Sequence, residues 1–190
     1  MKNQKPKSLK QLIVISVMAA IAFIIQYFDF PLPFFPPFLK IDFSEIPAIF
    51  TAIVFGPASG IMVEFFKNLL HYIVKGSETG IPVGQIANFL AGTLLILGTT
   101  FIYHRKPTKI GLLSGLLFGS FIMAVVMSFA NYYFILSFYE KLLNYSTTSA
   151  EKWILVLSGI GPFNFVKGIL ITLIMLPIYT SMKPRLKQLL

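Results

Sequence analysis

The residues able to do chemistry are few, and all stand in apolar surroundings. Asn164 and Lys167 lie three apart behind Gly161-Pro162, inside a stretch from Trp153 to Met182 that is otherwise almost entirely apolar. Glu64, Lys67, Asn68 and His71 recur at i, i+3, i+4 and i+7, which puts all four on one face of a helix and spaces Glu64 and Lys67 to pair with each other. Gln85 and Asn88 are again three apart, and Asn131 interrupts another apolar run. Amides supply both donors and acceptors, and an ammonium supplies donors only. The set therefore suits hydrogen-bonded recognition of an uncharged polar ligand. Acid–base work by Glu64 and His71 is the competing reading, and a membrane scaffold without a ligand is a third.

Several chemistries are excluded by what the sequence lacks. It contains no cysteine and two histidines, so neither thiolate chemistry nor a convincing metal set is available. There is no G-x-S-x-G, no H-E-x-x-H and no phosphate-cradling G-x-x-x-x-G-K-[ST]. We expect no catalytic residues, no metal and no cofactor, and any ATP hydrolysis must come from a partner.

Composition says what carries these groups. The chain of 190 residues is 56% hydrophobic and 12% charged, with a mean hydropathy of +0.78. Soluble domains carry about 25% charged residues, so this is an integral membrane protein in contact with the lipid bilayer. The net charge of +9 does not indicate nucleic acid, because of where the charge sits. Lys2, Lys5, Lys7 and Lys10 precede the first apolar run, Arg105, Lys106 and Lys109 share one central loop, and Lys183, Arg185 and Lys187 close the chain. All seven acids lie elsewhere. That asymmetry places both termini and the central loop in the cytoplasm.

The expected fold is all-α, a single six-helix transmembrane substrate-binding domain over residues 1–190. The first helix runs from about Leu9 to Phe28, near the roughly 20 residues a bilayer requires. Its Ser16 and Ala20 form a small-xxx-small face that lets another helix approach, either within the bundle or as a partner-docking surface. Residues 29–42 hold four prolines and several phenylalanines, so no continuous helix survives there and the segment should fold back as a lid. Asp42 and Glu45 read as first-turn acids of a short second helix ending near Gly56-Pro57. A third helix spans Ala58 to Val74, a fourth begins at Pro82, a fifth covers Ile110 to Tyr139 and a sixth covers Trp153 to Met182. Glycines 111, 115 and 119 argue for close packing of the fifth.

At about 1.5 Å per helical residue, Gln85, Asn88, Asn131, Asn164 and Lys167 reach similar depths in the outer half of the membrane. Amides at one level, ringed by phenylalanine and tyrosine, suit a flat ring whose edge alternates carbonyl and N–H. A flavin or pterin fits that description better than a bare cation.

The run Pro37-Phe38-Leu39-Lys40-Ile41-Asp42-Phe43-Ser44-Glu45-Ile46-Pro47, followed by Phe55-Gly56-Pro57 and Glu64-Phe65-Phe66-Lys67-Asn68, resembles the riboflavin-binding S components of energy-coupling-factor (ECF) vitamin transporters. The resemblance covers the whole chain. It implies a high-affinity vitamin pocket on the extracellular side, built by helices four to six and capped by the loop between helices one and two. On this view Asn131, Asn164 and Lys167 bind riboflavin, Gln85 and Asn88 assist, and Leu39 and Lys40 belong to the cover. The resemblance further implies docking through helix one onto a transmembrane coupling subunit with an ATPase pair. Two alanines four apart are usual there; Ser16 takes the first place here. Another vitamin, such as folate or thiamine, is the alternative ligand.

Overall fold

A computed structural model describes residues 9–77 and 79–189, with side chains to Met182. Lys2, Lys5 and Lys7 lie outside the described residues, as do the side chains of Lys183, Arg185 and Lys187.

Long apolar runs form six helical rods among the described residues. α1 (Leu9–Tyr27), α2 (Glu45–Phe55), α3 (Pro57–Lys75) and α4 (Val83–Tyr103) are single helices. The fifth rod joins α5 (Lys109–Ala130), a π-helical turn (Asn131–Ile135) and α6 (Leu136–Leu143). The sixth joins α7 (Ser149–Ile154), a second π-helical segment (Leu155–Ile160) and α8 (Gly161–Leu189). Four rods are long and apolar enough to cross a membrane: Leu9–Tyr27, Val83–Tyr103, Lys109–Leu143 and Ser149–Met182. α2 has only 11 residues, and α3 carries the charged face.

The ends differ from expectation for local reasons. The sixth rod starts at Ser149 rather than Trp153, because Thr148 and Glu151 close a capping box. The fifth continues past Tyr139 to Leu143 and stops where Asn144 turns left-handed at φ 54°. Gly161-Pro162 does not break the sixth rod. A proline removes one helical hydrogen bond and crowds the carbonyl four residues back, and the widened π segment Leu155–Ile160 sits where that crowding falls. The lid is not purely irregular: β1 (Phe30–Pro31) pairs antiparallel with β2 (Lys40–Ile41), with Phe30 opposite Ile41.

Close backbone approach holds the bundle together. A Cβ on Gly115 would stand 2.5 Å from Thr99 O, and one on Gly119 would stand 2.6 Å from Leu95 O. α4 and α5 therefore touch backbone to backbone, as the glycine spacing predicts. The core packs around Ile49, Val63, Leu95, Ile96, Leu112, Leu116 and Met123. Chain direction gathers the lid, the α3–α4 connection and the α6–α7 connection at one end of the bundle. The Gly56 turn and the 104–108 loop lie at the other.

Candidate functional site

Beneath the lid, five charged side chains are withdrawn almost completely from solvent. Asp42, Glu45, Glu64, Lys67 and Lys167 are each at most 3% exposed. Ions in such a place cost several kcal/mol each unless paired, so their partners decide whether the fold tolerates them. Lys67 Nζ lies 2.9 Å from Glu64 Oε2, the i,i+3 pair expected from spacing, and also 3.5 Å from Glu45 Oε1. It donates to Ser44 Oγ at 2.5 Å. Lys167 Nζ lies 2.7 Å from Glu45 Oε1 and 3.4 Å from Asp42 Oδ2. Asp42 also accepts from the Ser44 amide at 2.8 Å and from the Ser44 hydroxyl. Burial pushes the Asp42 carboxyl up, but Lys167, Lys67 and Ser44 outweigh it and hold the group well below the usual carboxylate range.

Asp42 and Glu45 thus do more than favour a helix dipole. The signal that could have found this role was charge balance. Two lysines and one glutamate in apolar helices left a cation without an internal partner, and the nearest unassigned acids flank Ser44.

A polar cavity of about 290 Å³ opens beside this cluster. Phe38 and Lys40 of the lid, Asp42, His71 of α3 and Gln85 and Asn88 of α4 line it, with Gln26, Asp29, Lys75 and Tyr139 completing the wall. Gln85 Nε2 donates to Gly76 O at 2.8 Å and faces His71 Nδ1 at 3.3 Å. Asn88 Nδ2 reaches Asp42 Oδ2 at 3.5 Å. Lys75 closes the rim by pairing with Asp29. The expected residues Gln85, Asn88 and Lys40 thus meet in one place, and Gln26 joins them from the last turn of α1.

Asn131, Asn164 and Lys167 stand on the neighbouring wall and do not line this cavity. Asn131 Nδ2 donates to Met127 O and Asn164 Nδ2 to Ile160 O, each at 2.8 Å, and both side chains are buried. Lys167 connects the two regions through Asp42, which also meets Asn88. The lid rests on this second wall. Phe35 meets Phe163 edge to face at 5.5 Å, Leu39 packs on Leu136, Val156 and Ile160, and Pro36 lies against Gly159.

Glu64 and His71 do not form an acid–base couple: Glu64 is held by Lys67, and His71 by Gln85. On α1, Ser16 and Ala20 are exposed, while Ile15, Ala19 and Ala22 face inward. Of the two uses of the small-residue face, internal packing thus falls to Ala19, and Ser16 and Ala20 look outward.

The comparisons with known proteins agree with this architecture. The chain is 44% identical over 180 residues to the riboflavin transporter FmnP of Bacillus subtilis strain 168, covering 94% of this chain and 95% of that one. It is 38% identical to the riboflavin transporter RibU of Staphylococcus aureus strain TCH60, over 94% and 93% of the two chains. A solved structure described as "Structure and mechanism of the S component of a bacterial ECF transporter" superposes with a TM-score of 0.80 at 38% identity, covering 94% of this chain and 98% of that one. The family model "ECF transporter, substrate-specific component" matches residues 10–179. With the fold, the capped polar cavity and these likenesses together, the chain belongs to the substrate-specific components of the ECF transporters.

Proposed function

We propose that this protein is the high-affinity riboflavin-binding subunit of an ATP-driven ECF uptake transporter, a multi-pass protein of the cell membrane. The observation that carries the ligand is near-full-length similarity to a riboflavin transporter at 44% identity. Asn131, Asn164 and Lys167 hydrogen-bond the flavin, Gln85 and Asn88 assist, and the lid around Leu39 and Lys40 excludes water. Both termini face the cytoplasm. The basic 104–108 loop lies at the end of the bundle opposite the lid, so the positive-inside rule turns the lid outward.

The exposed Ser16 and Ala20 face of α1 docks on the transmembrane coupling subunit, which brings the ATPase pair. Titration of detergent-purified protein with riboflavin tests the ligand through quenching of flavin fluorescence. Tight binding of folate or thiamine with no response to riboflavin overturns the ligand and retains the class. Uptake that persists after deletion of the coupling subunit overturns the ATP-driven assembly.

A further inference from the structure

Each amide on the cavity wall is oriented by what its nitrogen must do. Gln26 Nε2 donates to Asn68 Oδ1 at 3.0 Å, and Asn68 is itself fixed by donating to Glu64 O at 2.9 Å. Gln85 Nε2 donates to Gly76 O, and Asn88 Nδ2 is directed at the Asp42 carboxylate. Carbonyl and carboxylate oxygens only accept, so none of these amides can be turned round without losing its bond. Their oxygens are left over. Among the described residues, Gln26 Oε1, Gln85 Oε1 and Asn88 Oδ1 are buried without a hydrogen-bond partner. His71 supplies the complement. Its Nδ1 faces an amide nitrogen, which can only donate, so the neutral ring carries its proton on Nε2, another buried atom without a partner.

Buried polar atoms are nearly always satisfied, and a cluster of unsatisfied ones beside a cavity calls for a ligand that completes them. Three spare acceptors and one spare donor around about 290 Å³ suit neutral hydroxyl groups, which donate and accept at the same atom. They do not suit a carboxylate or phosphate, which would meet the amide oxygens as like partial charges. We infer that this cavity is the subsite for a polyhydroxylated side chain, and that Gln26 and His71 select for it. The inference rests on the riboflavin reading: the flavin ring lies toward Asn131 and Asn164, and its polyol chain extends past Asp42 and Asn88 toward α1 and α3.

The test compares riboflavin with lumiflavin, which keeps the ring and carries a methyl group in place of the polyol. Full-length protein in detergent is titrated with each, as wild type, Gln26→Met and His71→Phe, with thermal unfolding recorded alongside. Wild type should bind riboflavin at least about tenfold more tightly than lumiflavin. Each variant should lose about tenfold for riboflavin and keep its lumiflavin affinity within about twofold. Equal binding of the two flavins by wild type overturns the inference, and so does equal loss of both by variants that unfold like wild type. A variant that does not fold leaves the decision to the wild-type ratio. Failure of wild type to bind either flavin overturns the riboflavin reading itself, and the subsite with it.

Discussion

Lys167 Nζ stands 2.7 Å from Glu45 Oε1, and the same oxygen lies 3.5 Å from Lys67 Nζ, so one carboxylate on α2 ties α3 to α8. Removing one partner of a buried ion pair costs about 3–5 kcal/mol, because the other charge is stranded. Lys167→Met should lie at or below the low end of that range, since Glu45 keeps Lys67. Thermal unfolding should fall clearly, and Glu45→Gln in the same chain should restore part of the loss by removing one of the three buried carboxylates then left to a single lysine. Riboflavin affinity should stay low in the double variant, which separates holding the bundle from touching the ligand. Wild-type affinity in the double variant would confine Lys167 to the structural role.

Glu64 lies directly under Gly92, where a Cβ would come 2.3 Å from Oε2. Gly92→Ala must displace a fully buried carboxylate from its lysine, and overpacking of this kind costs about 1–3 kcal/mol. Gly84→Ala is the comparison, because its Cβ would meet only the Tyr139 hydroxyl at 3.3 Å. Thermal unfolding of the two variants should differ markedly. A Gly92→Ala protein as stable as wild type would mean that Glu64 moves freely, contrary to the packing described.

The long apolar helices, the proline-broken segment between the first two and the polar helix faces were legible in the sequence because each rests on local chemistry: apolar length, proline density and 3.6-residue spacing. Glu64 and Lys67 were found as a pair for that reason. Asp42 and Glu45 were not tied to Lys167, since that contact joins residues more than 120 positions apart and no periodicity marks it. Gln26 escaped notice as one amide at the end of an apolar helix. Equal helical rise was expected to bring the amides of helices four, five and six to one pocket, yet Gln85 and Asn88 face one space and Asn131 and Asn164 another wall. Depth follows from helical rise, whereas azimuth follows from packing. The π segment before Pro162 was also hidden, because a proline shows that a helix must adjust but not how, and Asn131–Ile135 carries no proline to mark it at all.

Ser16 and Ala20 leave a shallow exposed strip on α1, flanked by the exposed Leu12, Ile13, Val17 and Ile24. Small residues let helix backbones approach, so a bulky side chain there should block a partner without entering the bundle. Ala20→Phe should leave riboflavin binding in detergent at the wild-type value and abolish both co-purification with the coupling subunit and vitamin uptake. Ala19→Phe, directed into the core, should instead destabilise the isolated protein. Normal uptake by Ala20→Phe would move the docking surface elsewhere.

The lid meets the bundle through a few contacts that can be loosened singly. Phe35 stands edge to face on Phe163 with the ring planes at 73°, and Phe163 immediately precedes Asn164. Phe34, one residue earlier, is fully exposed at φ 71°. An aromatic pair contributes about 0.5–1.5 kcal/mol beyond the area it buries. A contact that holds a cover closed acts mainly on the rate of escape, since most affinity changes within one complex appear in dissociation. Phe35→Ala should therefore speed riboflavin release by about three- to tenfold, measured by stopped-flow chase, with a smaller change in association. Phe34→Ala should change neither rate. If both substitutions accelerate release alike, the Phe35–Phe163 contact is not what keeps the lid shut, and the two-residue ribbon joining Phe30 to Ile41 becomes the element to loosen next.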